Sequence, residues 1–417
     1  MAIAFLAWLV LQAGAAILTS YIIFLALLTI PAIQTQVIYL NKIKLTWFRD
    51  LAAPEQWGFL RNQVTPFTLT TSDGETIHAW HILPHQLYLK HQDELHQQPS
   101  GTFVDPDVLS SRLPFKLLRD DPDALLVLYF HGAAGTLASG YRPASYRALS
   151  AAAPDTKIHV VAIDYRGFGS STGSPSEDGL LTDALTLADW ATKQVGIPAE
   201  RIVLFGQSLG TAVAISLAHH LAMNRHDPVL FAGMVLVAPF ADVETLTATY
   251  RVAGVIPILG PLAYFPRLLA YLNTFIRDKW RSKDLLAAFI RDCVDTEGEG
   301  GKYHVTIIHA QDDYDIPWTH SEQLFRHAVN ATARAGGVGD EWFGKLRGIK
   351  MRETGRRIQF LPTGSDSEGG GWVVHYEDEN GGVIRKEITK RGLHDRIMSY
   401  PIVGEAVLRA FRQGGSR

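Results

Sequence analysis

Ser208 stands where two different sequence patterns meet. Residues 202–205 form the apolar run IVLF, which is typical of a buried strand, and residues 211–220 have the pattern of a helix. Between them lies GQSLG, a G-x-S-x-G sequence at residues 206–210. Glycines on both sides of a serine permit a strained strand-to-helix turn, which projects the serine oxygen beside the N–H groups of a helix start. The flanking patterns therefore favour a nucleophile at Ser208 over an ordinary turn.

A serine nucleophile needs an orienting acid and a base later in the chain, in the order Ser, Asp, His. Residues 305–309 (VTIIH) predict another buried strand, and AQDDYDIP follows at residues 310–317. We predict that Asp313, which begins the pattern D-x-x-I-P, is the acid. Asp312 and Asp315 are expected to cap a helix or to lie in a solvated turn, and each remains an alternative acid.

The candidate base is His394, in the sequence GLHD just before a helical stretch at residues 399–411. A glycine before a loop histidine lets the imidazole swing over the edge of a sheet. The chain has 16 histidines, so a surface or core position is the default for any one of them. His309 is expected in a buried strand and His375 in a polar insertion. Of these, His394 has the order and position that a base requires.

An acyl-transfer site also needs two N–H donors for the oxyanion. The apolar run at residues 125–130 leads directly into HGAAG at residues 131–135. Such a loop supplies one donor, predicted at Ala133, and the residue after the nucleophile, Leu209, supplies the other. Read alone, the loop could bind phosphate, but it lacks the G-K-[ST] or G-x-G-x-x-G order of phosphate-binding loops.

Four segments together resemble a known family: LYFHGAAGT at residues 128–136, DYRGFGSSTGSPSE at residues 164–177, the GQSLG turn and the acid loop. They are similar to the membrane-anchored α/β-hydrolase-domain lipases that cleave monoacylglycerols and lysophosphatidylserine, over about residues 70–411. The D-Y-R-G-x-G-x-S motif is shared by many α/β-hydrolases, including the Bem46-like ones. Three features favour the lipases: Gly-Thr after the oxyanion loop, an elbow ending at Thr211, and His-Ala before the acid.

The resemblance implies an α/β-hydrolase fold in which Ser208 is the nucleophile, Asp313 the acid and His394 the base, with no cofactor. Two departures from the family pattern stand out. Ala133 replaces the asparagine that usually follows His-Gly, which leaves a backbone donor intact. The chain between the last expected strand and His394 is longer than usual, which leaves the substrate open.

Alternating strands and helices predict the architecture. Residues 67–82 indicate a hairpin that turns at Asp73-Gly74, and a long polar connection follows to residue 123. Alternation of the later segments with helical stretches implies a mostly parallel sheet with helices on both faces. The expected strands are residues 125–130, 160–164, 202–205, 234–237, 305–309 and 358–361.

Composition agrees with one large core. The chain has 417 residues, of which 47% are hydrophobic and 19% charged. Its formal net charge of −3 gives no reason to expect nucleic acid as a partner. The single cysteine, Cys293, rules out an intramolecular disulfide and has no matching ligand set for zinc. We expect no metal and no cofactor.

The N-terminus predicts a membrane anchor. Residues 1–36 contain no charged side chain, and residues 3–30 are predominantly apolar, longer than the roughly 20 residues that cross a bilayer. A cleaved signal peptide would have a basic start, a shorter apolar core and a small-residue cleavage site. We therefore expect an uncleaved transmembrane helix at residues 1–36, a juxtamembrane linker at residues 37–66 and a hydrolase domain at residues 67–417.

Two observations conflict about the side of the membrane on which the hydrolase domain lies. Lys42, Lys44 and Arg49 follow the apolar helix, and the positive-inside rule then places the domain in the cytosol. The resemblance implies the lumen of the endoplasmic reticulum, and the sequon at Asn330 supports it weakly. We expect the lumen, with the cytosolic face as the alternative.

Two insertions are predicted in the hydrolase domain. The first, at about residues 243–300, contains an apolar, proline-broken stretch at residues 252–265, which predicts a membrane-touching lid or a packed pair of cap helices. The second, at about residues 336–391, contains an Asn380-Gly381 hairpin signal. It also contains basic residues that could attract an anionic head group or form a solvated surface: Lys345, Arg347, Lys350, Arg352, Arg356 and Arg357.

These features predict a membrane-anchored serine esterase or lipase that forms an acyl-enzyme on Ser208, with a lipid ester as substrate and the membrane as its partner surface. A protein depalmitoylase or a serine peptidase of the same fold would share the triad and differ in the pocket. A non-catalytic scaffold would be expected to lack a triad member, and none is missing.

Overall fold

The computed structural model describes residues 1–153, 155–224, 228–251, 259–295, 302–332, 351–353, 356–363 and 370–414. Within these residues the strands form one mixed sheet in the order β1-β2-β4-β3-β5-β6-β7-β11-β10-β9-β8. The strands are β1 (Val64–Thr70), β2 (Thr76–Ile82), β3 (Ala124–Phe130), β4 (Lys157–Ile163), β5 (Ile202–Gln207), β6 (Gly233–Val237), β7 (His304–Ala310), β8 (Met351–Glu353), β9 (Arg356–Thr363), β10 (Gly371–Glu377) and β11 (Val383–Thr389).

Helices precede the sheet, connect its strands and follow it. A single turn of π-helix at Trp190–Gln194 directly follows the α-helix at Glu177–Asp189. The helices are α1 (Ala2–Leu27), α2 (Pro31–Tyr39), α3 (His85–Lys90), α4 (Gln92–Gln97), α5 (Pro106–Ser111), α6 (Leu113–Arg119), α7 (Arg142–Ser150), α8 (Glu177–Asp189), α9 (Leu209–Ala222), α10 (Val243–Thr249), α11 (Pro266–Asn273), α12 (Ser282–Asp295), α13 (Thr319–Ala331) and α14 (Pro401–Gly414).

The centre of the sheet is parallel and covered on both faces. Strands β4, β3, β5, β6, β7 and β11 pair in parallel, as expected from the alternation of strands and helices. Leu126 and Leu128 of β3 pack in one core with α8, α9, α12 and α13. Val127 and Tyr129, which point to the other face, pack in a second core with α7 and α14. Burial on both faces explains why β3, β5, β6 and β7 are predominantly apolar runs in the sequence.

The first hairpin forms as predicted. Strands β1 and β2 pair antiparallel up to Thr70 and Thr76, and Gly74 has a φ of +89° in the turn between them. The connection after β2 differs from the expected polar loop, because it contains the short helices α3 to α6. Leu95, Leu109 and Leu118 of these helices are buried. Each helix has only six or seven residues, whereas a helical pattern is recognised over a window of about 11–18 residues, so the sequence pattern does not reveal it.

The strand predicted at residues 358–361 forms, but it is not the last strand of the parallel sheet. The expected strand at residues 358–361 lies within β9, which pairs antiparallel with β10 on the outer part of the sheet. The strand beside β7 is β11, which forms the predicted Asn380-Gly381 hairpin with β10. Residues 390–393 alone therefore separate the last parallel strand from His394. The extra chain lies before this strand and not after it.

Buried charges explain why the place of β11 beside β7 was not predicted. Lys386 and Glu387 are each 2% exposed, although charged side chains are normally expected at the surface. Lys386 forms an ion pair with Glu322 of α13, and Glu387 forms one with Arg409 of α14. These partners are distant in the sequence, so the pairing that permits burial of the charges is invisible there.

Helix α1 is long enough to cross a bilayer. Ile3–Leu27 is 25 residues long and is the one helix in the described part of the chain that meets the length and composition of a membrane span. At 1.5 Å per residue it extends about 38 Å, more than the roughly 30 Å of a hydrocarbon core. None of its most apolar window is buried inside the protein. The helix could be a membrane span or a signal anchor.

Parts of both predicted insertions lie outside the described residues. These are residues 252–258 of the apolar stretch, together with Lys345, Arg347 and Lys350. The described remainder of the first insertion comprises α10, a short 3-10 helix at Gly260–Tyr264, α11 and α12. Helix α12 packs against α9 and α13 and contributes Leu286 and Ile290 to the core. In the second insertion, Arg352 lies in β8, and Arg356 and Arg357 lie in β9.

Candidate active site

Ser208 occupies a sharp turn between β5 and α9. Its backbone has φ 52° and ψ −119°, a conformation that non-glycine residues rarely adopt. The neighbouring glycines are required by close packing. A Cβ on Gly206 would lie 2.4 Å from the carbonyl oxygen of Gly210, and a Cβ on Gly210 would lie 1.9 Å from that of Phe130. Gly206 is therefore required by the turn itself, and Gly210 by the close approach of α9 to β3.

His394 and Asp313 lie together at the carboxyl edge of the sheet. The Nδ1 of His394 is 2.7 Å from Oδ2 of Asp313, and because a carboxylate only accepts hydrogen bonds, this nitrogen carries the hydrogen. The other oxygen, Oδ1, accepts hydrogen bonds from the N–H groups of Asp315 at 3.0 Å and Ile316 at 2.9 Å. The carboxylate is thus held from its own loop while it orients the imidazole, and Nε2 of His394 is left for proton transfer.

His309 is a second partner of Asp313. Its Nε2 lies 3.0 Å from Oδ2 of Asp313 and 3.0 Å from the carbonyl oxygen of Ile316. Both are acceptors, so Nε2 carries the hydrogen and Nδ1 accepts one from the Ser321 hydroxyl at 2.7 Å. The sequence placed His309 in a buried strand without a role. Its position directly before the acid loop is the signal that could have indicated one.

Asp313 and His394 shift each other's pKa, because each stabilises the charged form of the other. Burial would lower the pKa of His394, but the charge and hydrogen bond of Asp313 outweigh burial and raise that pKa from 6.5 to about 9. Burial likewise opposes ionisation of Asp313, yet His394 and His309 hold the pKa of its carboxyl below the usual 3.8. Asp313 therefore remains a carboxylate at neutral pH and favours the imidazolium form of His394.

Asp312 holds the loop that carries His394. Its Oδ1 accepts hydrogen bonds from the backbone N–H groups of Gly392 at 2.8 Å and Leu393 at 2.9 Å. Leu393 has a φ of 51°, so the loop makes a tight turn just before the imidazole. Asp312 lies in a half-buried turn and caps no helix, and its acceptor atom binds a chain segment 80 residues away.

The two predicted oxyanion donors are available. Leu209 is the first residue of α9, where backbone N–H groups have no partner inside the helix. In the part of the chain that the structure describes, the N–H groups of Ala133 and Leu209 donate no hydrogen bond to protein. Both residues line the same cavity as Ser208.

Arg142 sets the orientation of the oxyanion loop, a role the sequence did not indicate. Its buried guanidinium donates to the carbonyl oxygens of Gly132 at 3.0 Å, Ala133 at 3.0 Å and Ala134 at 2.9 Å. The carbonyl of Gly132 and the N–H of Ala133 belong to one trans peptide unit and point in opposite directions. Because Arg142 draws the carbonyl towards itself, the N–H of Ala133 is directed away from it.

A cavity of about 330 Å³ joins these groups. Ser208 and His394 lie on its wall, together with the polar side chains of Gln207, Asp315 and Asp395. Most of the remaining wall is apolar, and pockets with apolar walls and few polar groups are typical of small-molecule sites. The apolar residues include Val37, Ile38, Leu40, Leu45, Phe240, Val243, Leu246 and Leu259.

Asp313, Asp315 and His394 could in principle hold a cation, since one ligand atom from each lies within 4.8 Å of the others. Both oxygens of Asp313 already accept hydrogen bonds from N–H groups, two of them from the backbone and two from imidazoles. That pattern matches a carboxylate that orients a base, as in hydrolytic triads.

Comparison with known proteins agrees with this geometry. Residues 125–352 match the alpha/beta hydrolase family Abhydrolase_6. The chain is 30% identical over 303 residues to the lysophosphatidylserine lipase ABHD12 of Xenopus tropicalis, covering 72% of this chain and 67% of the relative. It is 28% identical over 306 residues to the ABHD12 of Danio rerio, with 73% and 69% covered. It is 32% identical over 297 residues to human protein ABHD12B, with 70% and 69% covered.

A solved structure confirms the fold. The α/β-hydrolase of Vibrio vulnificus superposes with a TM-score of 0.51 at 14% identity and covers 91% of this chain and 92% of its own. The resemblance predicted from the sequence motifs is confirmed by the relatives, which include lipases of the same fold. The chain belongs to the α/β-hydrolase family.

Proposed function

We propose that this protein is a serine hydrolase that cleaves carboxylic esters of single-chain membrane lipids, such as lysophospholipids or monoacylglycerols. One observation carries the proposal: Ser208, at a strained strand-to-helix turn, and His394, paired with Asp313, line one largely apolar cavity. Relatives named lysophosphatidylserine lipases support the lipid class.

The reaction begins when the Ser208 hydroxyl oxygen attacks the ester carbonyl and Nε2 of His394 takes its proton. The negative charge on the carbonyl oxygen is stabilised by the N–H groups of Ala133 and Leu209. The tetrahedral intermediate collapses, the C–O bond to the glycerol breaks, and the imidazolium returns its proton to the departing alcohol. Water then attacks the acyl-enzyme in the same way and releases the fatty acid. Asp313 stabilises the imidazolium in both halves.

Two measurements test this function. A fluorophosphonate probe should label the full-length protein in detergent, and Ser208→Ala should abolish labelling while leaving the circular dichroism spectrum unchanged. Hydrolysis should then be compared among monoacylglycerols, lysophospholipids, an S-acylated peptide and a peptide amide of equal concentration. Preference for the peptide amide, or labelling that persists at another serine, would contradict the proposal. Preference for the S-acylated peptide would identify a depalmitoylase.

We also propose that α1 anchors the protein in the endoplasmic reticulum membrane with the hydrolase domain in the lumen. Asn330 is exposed at the end of α13, where an oligosaccharide would not disturb the core. Lys42, Lys44 and Arg49 argue for the cytosolic face, so the orientation needs a direct test. Protease protection of sealed microsomes should preserve the domain, and Asn330→Gln should remove any glycosidase-sensitive shift in mass. Digestion by added protease without detergent would place the domain in the cytosol.

A further inference from the structure

Residues 31–45, termed the strap, follow the apolar helix α1 and comprise α2 and the turn after it. The strap is attached to the segment that follows α11 by Gln34, which is only 7% exposed. The side-chain amide of Gln34 donates to the carbonyl oxygen of Phe275 at 2.8 Å, and its oxygen accepts from the N–H of Arg277 at 3.1 Å. An exposed linker would leave this amide in water.

Tyr39 fixes the other end of α2. Its side chain is fully buried, and its hydroxyl donates to Oδ2 of Asp278 at 2.8 Å while accepting from Nε1 of Trp280 at 3.2 Å. A buried hydroxyl with two partners is held in one position. Both ends of α2 are therefore attached to residues 275–280, which follow α11.

The strap also contacts the oxyanion loop directly through its backbone. The carbonyl oxygen of Tyr39 accepts a hydrogen bond from the N–H of Ala134 at 2.9 Å, and that of Ile43 accepts one from Gly135 at 2.6 Å. Ala134 is adjacent to Ala133, whose N–H we assign to the oxyanion. The strap and Arg142 thus hold this loop from two sides.

Side chains of the strap form part of the cavity that contains Ser208. Val37, Ile38, Leu40 and Leu45 lie on its wall, and all four are aliphatic. Val37 remains 50% exposed and Leu45 55% exposed in the empty cavity. Exposed aliphatic groups that line a cavity gain stability when an apolar ligand covers them, at about 25 cal/mol per Å² of buried area.

The chain path brings this wall close to the membrane. Residues 28–30 separate α1 from α2, and Val37 lies in the second turn of α2. An extended chain spans at most about 3.6 Å per residue, and a helix rises about 1.5 Å per residue. Val37 therefore lies within about 25 Å of Leu27. If α1 spans the bilayer, the strap lies near its surface.

We propose that the strap is the acyl-selecting wall of the active site, with Val37, Leu40 and Leu45 in contact with the fatty acyl chain of the substrate. This inference rests on the proposed ester hydrolysis at Ser208. It assigns substrate selection to the segment that joins the membrane helix to the hydrolase. Acyl chains of different length would then be distinguished at the place where a lipid leaves the bilayer.

The test uses the full-length protein in detergent and a series of p-nitrophenyl esters from acetate to palmitate. Val37→Ser with Leu45→Ser should lower kcat/KM for palmitate by roughly 100-fold, because each of the two lost apolar contacts lowers it by about 10-fold. The acyl group of acetate is only two carbons long, so hydrolysis of acetate should fall much less than that of palmitate. Trp47→Ser is the matched control, since Trp47 is 68% exposed and is not among the cavity residues. It should leave both rates unchanged.

A second variant covers the case in which the double serine variant does not fold. Val37→Trp adds volume to the cavity wall and should shift the preferred acyl length towards shorter chains while acetate hydrolysis is retained. Equal loss of acetate and palmitate hydrolysis in a folded variant, or an unchanged length profile, would overturn the proposal. Failure of the wild type to hydrolyse any ester in the series, or to react with a fluorophosphonate, would instead overturn the proposed function.

Discussion

Three aspartates within four positions have different surroundings in this protein. Asp313 contacts His394 and His309, Asp312 contacts the backbone before His394, and Asp315 lies on the cavity wall. The sequence pattern D-x-x-I-P selects Asp313 because the N–H groups of residues 315 and 316 bind its Oδ1 and close the loop. No local pattern could show the partners of Asp312, since they lie in another loop.

Substitutions of these aspartates should separate an orienting role from a positioning one. We expect Asp313→Asn to lower kcat by roughly two to four orders of magnitude, because the imidazole loses its orientation and the stabilisation of its charged form. Asp312→Ala should lower kcat about 10-fold by loosening the turn at Gly392 and Leu393. Asp312→Asn keeps an oxygen acceptor and should restore most of the activity.

Steady-state hydrolysis of a soluble acetate ester measures these effects, with Asp315→Asn as the comparison. A severe loss in Asp312→Asn or Asp315→Asn together with a mild loss in Asp313→Asn would show that a different aspartate orients the base.

The pH dependence should report the coupling of His394 to Asp313. The base must be neutral to accept a proton, so kcat/KM should rise with pH through the raised pKa of about 9. In Asp313→Asn the charge and hydrogen bond that raise this pKa are lost while burial remains, so the residual activity should rise at lower pH. A pH–rate profile of both proteins between pH 5 and 10 makes the comparison.

The free energy of unfolding should also depend on pH through the ionisation of His394. The pKa of His394 is higher in the folded protein, about 9, than its ordinary value of 6.5. Its protonation therefore contributes stability that is complete below pH 6.5 and is lost as pH rises through about 9. Denaturant unfolding should show this decline in the wild type and less of it in Asp313→Asn. Coincident midpoints for the two proteins in both assays would mean that Asp313 does not control the ionisation.

At the scale of secondary structure, the sequence predicted what is locally encoded. Strands β3, β5, β6 and β7 are apolar runs because both their faces are buried, and Gly206 is required by contacts within the elbow. Gly210 is required by the close approach of α9 to β3, which is distant in the sequence. Strand β11 was predicted as part of a hairpin, but its place beside β7 was missed, because its buried charges pair with Glu322 and Arg409 from distant helices. The two proposed oxyanion donors were inferred from the elbow and the HGAAG loop, but the attachment of that loop by Arg142 depends on packing alone.

The elbow should tolerate no side chain at Gly210. A Cβ there would lie 1.9 Å from the carbonyl oxygen of Phe130 and would push α9 away from β3. We expect Gly210→Ala to lower the free energy of unfolding by about 1–3 kcal/mol or more and to abolish fluorophosphonate labelling. Gly404→Ala is the control, because its Cβ would meet only Ala152 at 3.3 Å in a regular helix. Full labelling of Gly210→Ala would show that the turn is less constrained than its geometry indicates.

For the whole molecule, the packing of α2 favours a boundary between anchor and hydrolase that lies earlier than the composition indicates. The absence of charge up to residue 36 predicted an anchor at residues 1–36 and a linker after it. Helix α2 begins at Pro31, and Gln34 and Tyr39 are buried against the segment after α11. Neutral polar and aromatic residues of this kind are equally compatible with a linker, so only tertiary contacts reveal that the strap belongs to the hydrolase. We propose that the separable anchor consists of α1 alone.

Truncations at two positions should distinguish these boundaries. Removal of residues 2–27 deletes α1 and leaves the contacts of Gln34 and Tyr39 intact, so hydrolysis of a soluble acetate ester should stay near the wild-type rate. Hydrolysis of long-chain lipids in vesicles should fall much more, because the protein no longer concentrates at the membrane. Removal of residues 2–36 also deletes Gln34 and most of α2, and it should lower acetate hydrolysis and the melting temperature together. Equal acetate hydrolysis by the two truncated proteins would show that residues 28–36 are not needed by the hydrolase. Equal loss on both substrates after removal of residues 2–27 would show that α1 supports the fold itself.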